Sequence, residues 1–217
     1  MNRRISALLV ASSILLSAAG AHAIPVLQIY IDGATYDTQS ETWVVSAPDF
    51  DLWVVGDVDA HGDILDVKLT ASFFGLGPGS FSLTPTTTTT ITDPSTPSAP
   101  TFFQTGTGGH PVLPDHGIFN DVTMHHWNDY SLGDLTLHDS PIGDYSGDTS
   151  FPGSFPDTGQ VNVYHVHTAG WIKVHFDAYG HTVSQDGHES SWKTPFSHDG
   201  QVPVQHSTWS AVKALFD

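Results

Sequence analysis

The chain of 217 residues contains no cysteine, which excludes disulfide bonds, thiolate metal sites and a cysteine nucleophile. Basic side chains are few as well: 6 Lys and Arg stand against 23 Asp and Glu, giving a formal net charge of −17. Such a charge repels phosphate backbones and anionic lipid, so we expect no nucleic-acid partner. Glutamate is limited to Glu41 and Glu189. The remaining acids are aspartates, which suit turns and oxygen-rich cation sites.

Long helical periodicity is absent from the body of the chain, and the clearest apolar run lies at the amino end. Residues 1–23 predict a cleavable secretory leader, in which a positive start precedes an apolar stretch at 5–20 and a small-x-small pattern at 21–23. The run is short for a membrane span. We therefore expect cleavage between Ala23 and Ile24, a secreted or cell-surface protein, and no transmembrane span in the mature chain.

The rest of the chain has the short alternating pattern of β-strands, interrupted by Gly, Pro, Asn and Asp. Strands are predicted at residues 26–31, 42–46, 51–58, 64–74, 161–167 and 171–178, with the last two forming a hairpin around 168–170. This pattern predicts an all-β fold, a single antiparallel β-sandwich-like domain over 24–200 with long loops. The Thr/Pro-rich tract at 84–100 is interpreted as an insertion: a long loop, an edge ribbon or an O-glycosylated stalk.

The carboxyl end has a different pattern, which predicts a linker followed by a short amphipathic segment within residues 201–217. One face of a helix there would carry Trp209, Val212, Leu215 and Phe216. A helix of about ten residues is marginal in water by itself, so it must dock on its own domain, on a partner or on a sorting receptor. The segment is either a sorting or anchoring signal or a docked terminal helix.

Three aspartates suggest a weak calcium site. Asp57, Asp59 and Asp63 fall within a stretch that resembles the first eight positions of an EF-hand loop. The fifth position is His61, however, and the twelfth, where a bidentate acid belongs, is Lys68. A plain hairpin loop is the main interpretation and calcium binding the alternative. Calcium is the only cofactor these acids suggest, and the sequence predicts none that is required.

Histidines form a second candidate site. His165 and His167 are two apart, so on a strand they share a face, as do His175 and Asp177. Together with Gly159 the first pair resembles the opening of the cupin metal motif, although the acid that cupins place four or five residues later is missing. One interpretation is a transition-metal site that uses all four side chains. The other is a set of polar positions on the solvated face of a sheet.

Several stretches in a fixed order resemble the choice-of-anchor N family of exported bacterial proteins, whose common domain is joined to varying C-terminal surface anchors. They are AIPVLQIYI at 23–31, GATYD at 33–37, ETW at 41–43, LWVVG at 52–56, DVKL at 66–69, LPDHGIF at 113–119, GWI at 170–172, VHFDAY at 174–179 and PFSHD at 195–199. The resemblance implies secretion and surface retention and transfers no catalytic residue. The chain lacks the PEP-CTERM tail on which many members end.

No residue pattern indicates catalysis, because no nucleophile elbow is present and the aspartates fit many pairings equally well. The favoured function is an exported, non-catalytic structural or adhesive protein of the cell surface or extracellular matrix. Its expected partners are envelope or matrix components, polysaccharide or further copies of itself. One alternative is a cupin-like metalloenzyme centred on His165 and His167. Another is a calcium-dependent carbohydrate-binding module that stacks sugars on Trp43, Trp53, Trp127 and Trp192.

Overall fold

The computed structural model describes residues 24–39, 41–75, 77–88, 97–114, 116–145, 154–183, 187–189 and 196–202. In chain order its elements are β1 (Leu27–Ile31), β2 (Thr35–Asp37), β3 (Thr42–Val44), β4 (Asp49–Gly56), α1 (Val58–His61), β5 (Ile64–Phe74), β6 (Ser80–Thr88), β7 (Thr101–Gly106), β8 (Met124–Leu135), β9 (Ser140–Ile142), β10 (Asp157–Ala169), β11 (Lys173–Thr182) and β12 (Phe196–Val202). The predicted all-β, sandwich-like fold class is confirmed. The predicted C-terminal helix lies outside the described residues.

The strands form two sheets. The five-stranded sheet has the order β1-β4-β10-β6, with β9 paired to the start of β10. The seven-stranded sheet has the order β2-β3-β12-β11-β5-β8-β7. The pairings are antiparallel except for β3 with β12, which is parallel. Strand β10 is therefore central in the first sheet, and β11 and β5 are central in the second.

The main core lies between the sheets and follows from alternation along each strand. On β11, Val174, Phe176 and Ala178 belong to the core. Successive side chains of a strand point to opposite faces, so His175 and Asp177 lie on the outer face of the seven-stranded sheet. These two polar residues are nevertheless buried. Something must therefore cover that outer face, and the covering segment is described below.

Two buried glutamines fix the segment that leads from β8 to β9 and beyond. Gln28 donates from Nε2 to the carbonyl oxygen of Gly143 and accepts from the backbone amide of Tyr145, at 3.1 and 2.7 Å. Oε1 of Gln160 accepts from the amides at 136 and 137, at 2.7 and 2.8 Å. Buried backbone groups need such partners wherever no strand ladder supplies them.

Gly159 is required by a close backbone approach. A Cβ at this position would overlap the carbonyl oxygen of Gly56 on the neighbouring strand β4. The glycine that opens the predicted cupin-like pattern is thus explained by packing of two strands.

The structure corrects three of the predictions made for named segments. The predicted hairpin is wrong, because β10 and β11 belong to different sheets and their connection crosses from one sheet to the other. Part of the Thr/Pro-rich tract, residues 84–88, lies in edge strand β6, and 89–96 fall outside the described residues. Strand β12 extends to Val202, two residues past the predicted domain boundary at 200.

Candidate metal centre

A long connection between β7 and β8 covers the outer face of the seven-stranded sheet. We call its described residues, 107–114 and 116–123, the covering loop. Leu113 and Phe119 from this loop form a second hydrophobic cluster with Trp127 of β8 and Tyr179 of β11. The cluster excludes water from side chains that would otherwise lie on a solvated sheet face, and it accounts for the buried polar residues there.

The first anchor of the covering loop is a buried carboxylate with four side-chain donors. Asp129 accepts from Thr70 Oγ1 at 2.6 Å, Gln104 Nε2 at 2.7 Å, Tyr179 Oη at 2.8 Å and His110 Nε2 at 3.0 Å. Burial acts to raise the pKa of Asp129, but the hydrogen bonds from His110, Thr70 and Gln104 hold it below the ordinary value. The ionised carboxylate is therefore fully accommodated.

The tautomer of His110 follows from its surroundings. Its Nδ1 accepts from the backbone amides of Val112 and Leu113, at 3.2 and 2.9 Å. Since Nδ1 accepts, Nε2 carries the proton of the neutral ring and donates it to Asp129. This anchor therefore satisfies its members without any bound cation.

The second anchor brings together His116 of the covering loop with His175 and Asp177 of β11. Nε2 of His116 lies 3.1 Å and Nε2 of His175 lies 3.3 Å from the same oxygen, Oδ1 of Asp177. One ligand atom from each of the three residues can be chosen so that all lie within 4.8 Å of one another. These three residues form a group of His and Asp side chains that could hold a metal ion.

The three residues lie in a nearly dry environment. The side chains of Asp177, His175 and His116 are 0%, 2% and 15% exposed. Burial acts to raise the pKa of Asp177, yet the neighbouring His175 and His116 hold it well below its ordinary value. Oδ2 of Asp177, Nδ1 of His175 and Oγ of the adjacent Ser72 are buried without a hydrogen-bond partner among the described residues. Such atoms call for a bound ion or water.

The predicted four-residue transition-metal site is divided between the two sheets. His175 and Asp177 do lie together, but on the outer face of the seven-stranded sheet. His165 and His167 lie on β10 of the five-stranded sheet, with side chains 46% and 43% exposed. The prediction assumed that β10 and β11 pair as a hairpin, and it fails for that reason.

The three aspartates of the predicted calcium site do not form a common ligand set. Asp57 is buried and its Oδ2 lies 3.6 Å from Nε2 of His61. Asp57 directly precedes the helical turn α1, which stands where a hairpin loop was predicted. Asp59 accepts from Thr158 Oγ1 at 3.1 Å. Asp59 and Asp63 line a surface cavity of about 420 Å³. Calcium binding by these acids gains no support from their placement.

The tryptophans proposed to stack sugars are placed differently from what that alternative requires. Trp43 and Trp127 are buried and Trp53 is half-buried, whereas Trp192 lies outside the described residues. The amphipathic face of Trp209, Val212, Leu215 and Phe216 and the leader up to Ala23 also lie outside them. No helix among the described residues is long and apolar enough to cross a membrane.

His116 is the member of the candidate metal centre that the sequence analysis missed. It lies 59 residues before His175, in a Gly/Pro/Asp-rich stretch without strand or helix periodicity. The available signal was modest: a histidine two residues after Pro114, in a segment flanked by the apolar Leu113 and Phe119. Those two residues fix the loop on the sheet, and only that placement brings His116 to Asp177.

Comparisons with known proteins add little to this geometry. No protein-family model matches the chain, and no curated protein matches it. A solved structure described as "AvmM Catalyzes Macrocyclization in Alchivemycin A Biosynthesis" is similar at 11% sequence identity, over 84% of this chain and 92% of that chain, with a TM-score of 0.32. That similarity is too low to support a conclusion about fold or function.

Proposed function

We propose that the protein is an exported β-sandwich of the cell surface or matrix that binds one divalent transition-metal ion between the covering loop and the seven-stranded sheet. The observation that carries the proposal is the approach of two imidazole nitrogens, from His116 and His175, to a single oxygen of Asp177. The ion would clamp the loop onto the sheet, as a structural rather than a catalytic part of the molecule.

The tautomer of His116 supports a cation at this point. Nδ1 of His116 lies 2.9 Å from the carbonyl oxygen of Pro114, which can only accept, so Nδ1 carries a proton. In the neutral ring, Nε2 then presents a lone pair to Asp177 Oδ1 at 3.1 Å. Two lone pairs at that distance repel unless a proton or a metal ion lies between them. A backbone carbonyl that orients the far nitrogen is the usual outer-shell partner of a metal-bound histidine.

The distances also fit a metal ion. Two ligand atoms about 2.0–2.2 Å from a tetrahedral ion lie about 3.3–3.6 Å apart. The separations of 3.1 and 3.3 Å at Asp177 are close to that edge length. Small side-chain shifts would open the group around an ion.

The donor set selects the kind of ion. Two imidazoles and one carboxylate suit zinc, iron(II) and related first-row ions, whereas calcium and magnesium prefer sites made of oxygen atoms alone. Three protein ligands leave a fourth position for water, which Ser72 or the second oxygen of Asp177 could stabilise. Both of these oxygen atoms are buried without a hydrogen-bond partner among the described residues.

The location of the protein is proposed from its sequence. The leader pattern at 1–23, the net charge of −17 and the resemblance to the choice-of-anchor N family all support export and surface retention. A fixed, metal-clamped loop suits a structural or adhesive surface protein, since outside the cell no disulfide is available to this cysteine-free chain to fix it.

Zinc titration by calorimetry into metal-free protein tests the proposal. The purified mature chain should bind Zn²⁺ tightly, and His116→Gln and His175→Gln should each weaken the tightest class of sites at least tenfold. His138→Gln, which changes an exposed histidine, should leave that class unchanged. Equal binding by all three variants, or no binding by the parent protein, would refute the proposal.

A further inference from the structure

Two residues of the predicted histidine site, His165 and His167, lie on the five-stranded sheet, and each faces an aspartate on the neighbouring strand. Strands β4 and β10 pair antiparallel, and their register places His165 opposite Asp51 and His167 opposite Asp49. The four side chains are between 43% and 53% exposed. They form a compact surface group on the five-stranded sheet.

In this group, the hydrogen bond at Nδ1 of His165 leaves the lone pair of Nε2 available to bind a metal ion. Nδ1 of His165 lies 3.0 Å from Asp51 Oδ1, and because a carboxylate only accepts, Nδ1 carries the proton of the neutral ring. Nε2 of His165 is then the lone-pair nitrogen, 3.8 Å from Asp49 Oδ1. A carboxylate behind a histidine is the common outer-shell arrangement of metal-bound imidazoles.

Asp49 orients His167 in the same way. Its Oδ1 accepts from Nδ1 of His167 at 2.7 Å, so the lone pair of the neutral His167 ring is also on Nε2. Residues two apart on a strand have Cα atoms about 6.6–6.8 Å apart. Two imidazoles at that spacing can both reach an ion about 2.0–2.1 Å from each nitrogen. Because the side chains are exposed, they can rotate to do so at little cost in packing.

The local charge favours a cation. The ion pairs of Asp49 and Asp51 among the described residues are with histidines. The two carboxylates belong to a chain whose formal net charge is −17. A divalent ion would neutralise them, and imidazole ligands select a transition metal over calcium.

We propose that His165 and His167 form a second, solvent-facing metal site for a borderline divalent ion such as Cu²⁺, Ni²⁺ or Zn²⁺, with Asp51 and Asp49 orienting the two rings. The remaining coordination positions face solvent and are open to water or to a ligand from another molecule. This proposal is independent of the buried centre, because the two groups lie on different sheets and share no residue.

Nuclear magnetic resonance with Cu²⁺ tests the site directly. Substoichiometric Cu²⁺ added to the isotope-labelled mature chain should broaden the ring signals of His165 and His167 before those of the exposed His125 and His138. The same preference should persist in a His175→Gln variant, which disables the buried centre alone. Uniform broadening of exposed histidines, or broadening that begins elsewhere, would overturn the assignment.

A second experiment measures Ni²⁺ binding by calorimetry. It uses the His175→Gln variant, so that the buried centre does not contribute to the binding signal. His165→Gln combined with His167→Gln should abolish the binding event that remains there. Asp51→Asn should weaken it about 10-fold to 100-fold, the usual effect of removing an outer-shell partner. Asp59→Asn, which changes an exposed acid of α1, is the matched control and should have no effect. Unchanged Ni²⁺ affinity in the double variant would overturn the site while leaving the buried centre untested by this result.

Discussion

Asp129 and Asp177 are buried carboxylates on the same outer sheet face, and Thr70 of β5 lies opposite both. They differ in how their charge is compensated. Asp129 receives four side-chain hydrogen bonds that use both of its oxygens. Asp177 has two imidazole nitrogens at one oxygen and no hydrogen-bond partner found at the other. The first residue has the environment of a structural anchor, and the second has that of a ligand.

The first prediction concerns Asp129→Asn. The amide nitrogen would face donors such as Gln104 Nε2 and Tyr179 Oη, so at least one hydrogen bond to the former carboxylate becomes a donor–donor contact. We expect the free energy of unfolding at pH 7 to fall by about 3 kcal/mol. Denaturant titration measures it, and the exposed Asp59→Asn should change it little.

The same variant tests a pH dependence. The pKa of Asp129 is lower in the folded protein than its ordinary value of about 3.9. Its contribution to stability is therefore fully present well above pH 4 and is lost as the pH falls through the folded-state pKa. The stability difference between the parent and Asp129→Asn should shrink when the titrations are repeated toward pH 3. A difference that stays constant down to pH 3 would contradict the assigned anchor role.

Gly159→Ala is the second prediction at this scale. The new Cβ would overlap the carbonyl oxygen of Gly56, so β4 and β10 must move apart. Overpacking of this kind costs about 1–3 kcal/mol. Gly109→Ala is a matched control, because no atom lies within 4 Å of a Cβ placed there. If thermal melting shows the two variants equally stable, Gly159 has no packing role.

At the scale of elements, the strands that could be predicted are those in which apolar residues alternate along the sequence. Strands β1, β4 and β5 were found from the sequence because their core positions are Leu, Ile, Val and Phe. Strand β8 was missed, since MHHWNDYSLGDL places Asn and Asp among its aromatic positions. Asp129 is tolerated there because it accepts hydrogen bonds from side chains of β5, β7, β11 and the covering loop, and no local pattern encodes those partners.

Only part of the candidate metal centre could be predicted, because local spacing indicates residues that share a strand face and not residues brought together by tertiary contacts. The i and i+2 spacing of His175 and Asp177 was enough to place both side chains on one face. His116 joins them through loop packing, and strand register places Asp49 opposite His167 and Asp51 opposite His165. Both relations are tertiary, so a single sequence could indicate the residue types and not their partners.

The covering loop can be tested through Phe119→Ala. Phe119 is buried in the second cluster, and its ring packs edge-on against His116 with centroids 5.2 Å apart. Its removal should lower stability by about 3–5 kcal/mol. It should also weaken Zn²⁺ binding, because His116 loses the packing that orients it. Denaturant titration and calorimetry measure the two effects.

Val122→Ala is the matched control within the same loop, since its side chain is 98% exposed. It should change neither stability nor zinc affinity. If Phe119→Ala destabilises the protein while zinc affinity stays at the parent value, the covering loop does not position the metal ligand.

For the whole molecule, the lack of cysteine means that the fold depends on its hydrophobic core and not on disulfide bonds. The described fold begins with Ile24, whose side chain is buried in the main core. The leader prediction places the cleavage immediately before this residue. N-terminal sequencing of protein recovered from the culture medium or cell surface should therefore give Ile24 as the first residue. Exported protein that still begins at Met1 would contradict the leader assignment.

The last prediction separates an anchored protein from a released one. In the helix predicted for the carboxyl end, Trp209 lies on the apolar face and Ser210 on the opposite face. If the segment is a sorting or anchoring signal, Trp209→Ala should leave thermal melting unchanged and move the protein from the cell fraction into the medium. Ser210→Ala should do neither, and deletion of residues 207–217 should reproduce the release. A docked helix predicts the reverse, because a fully buried large side chain contributes about 1.5–3 kcal/mol. A Trp209→Ala protein that melts earlier yet stays with the cells would show that the segment belongs to the fold.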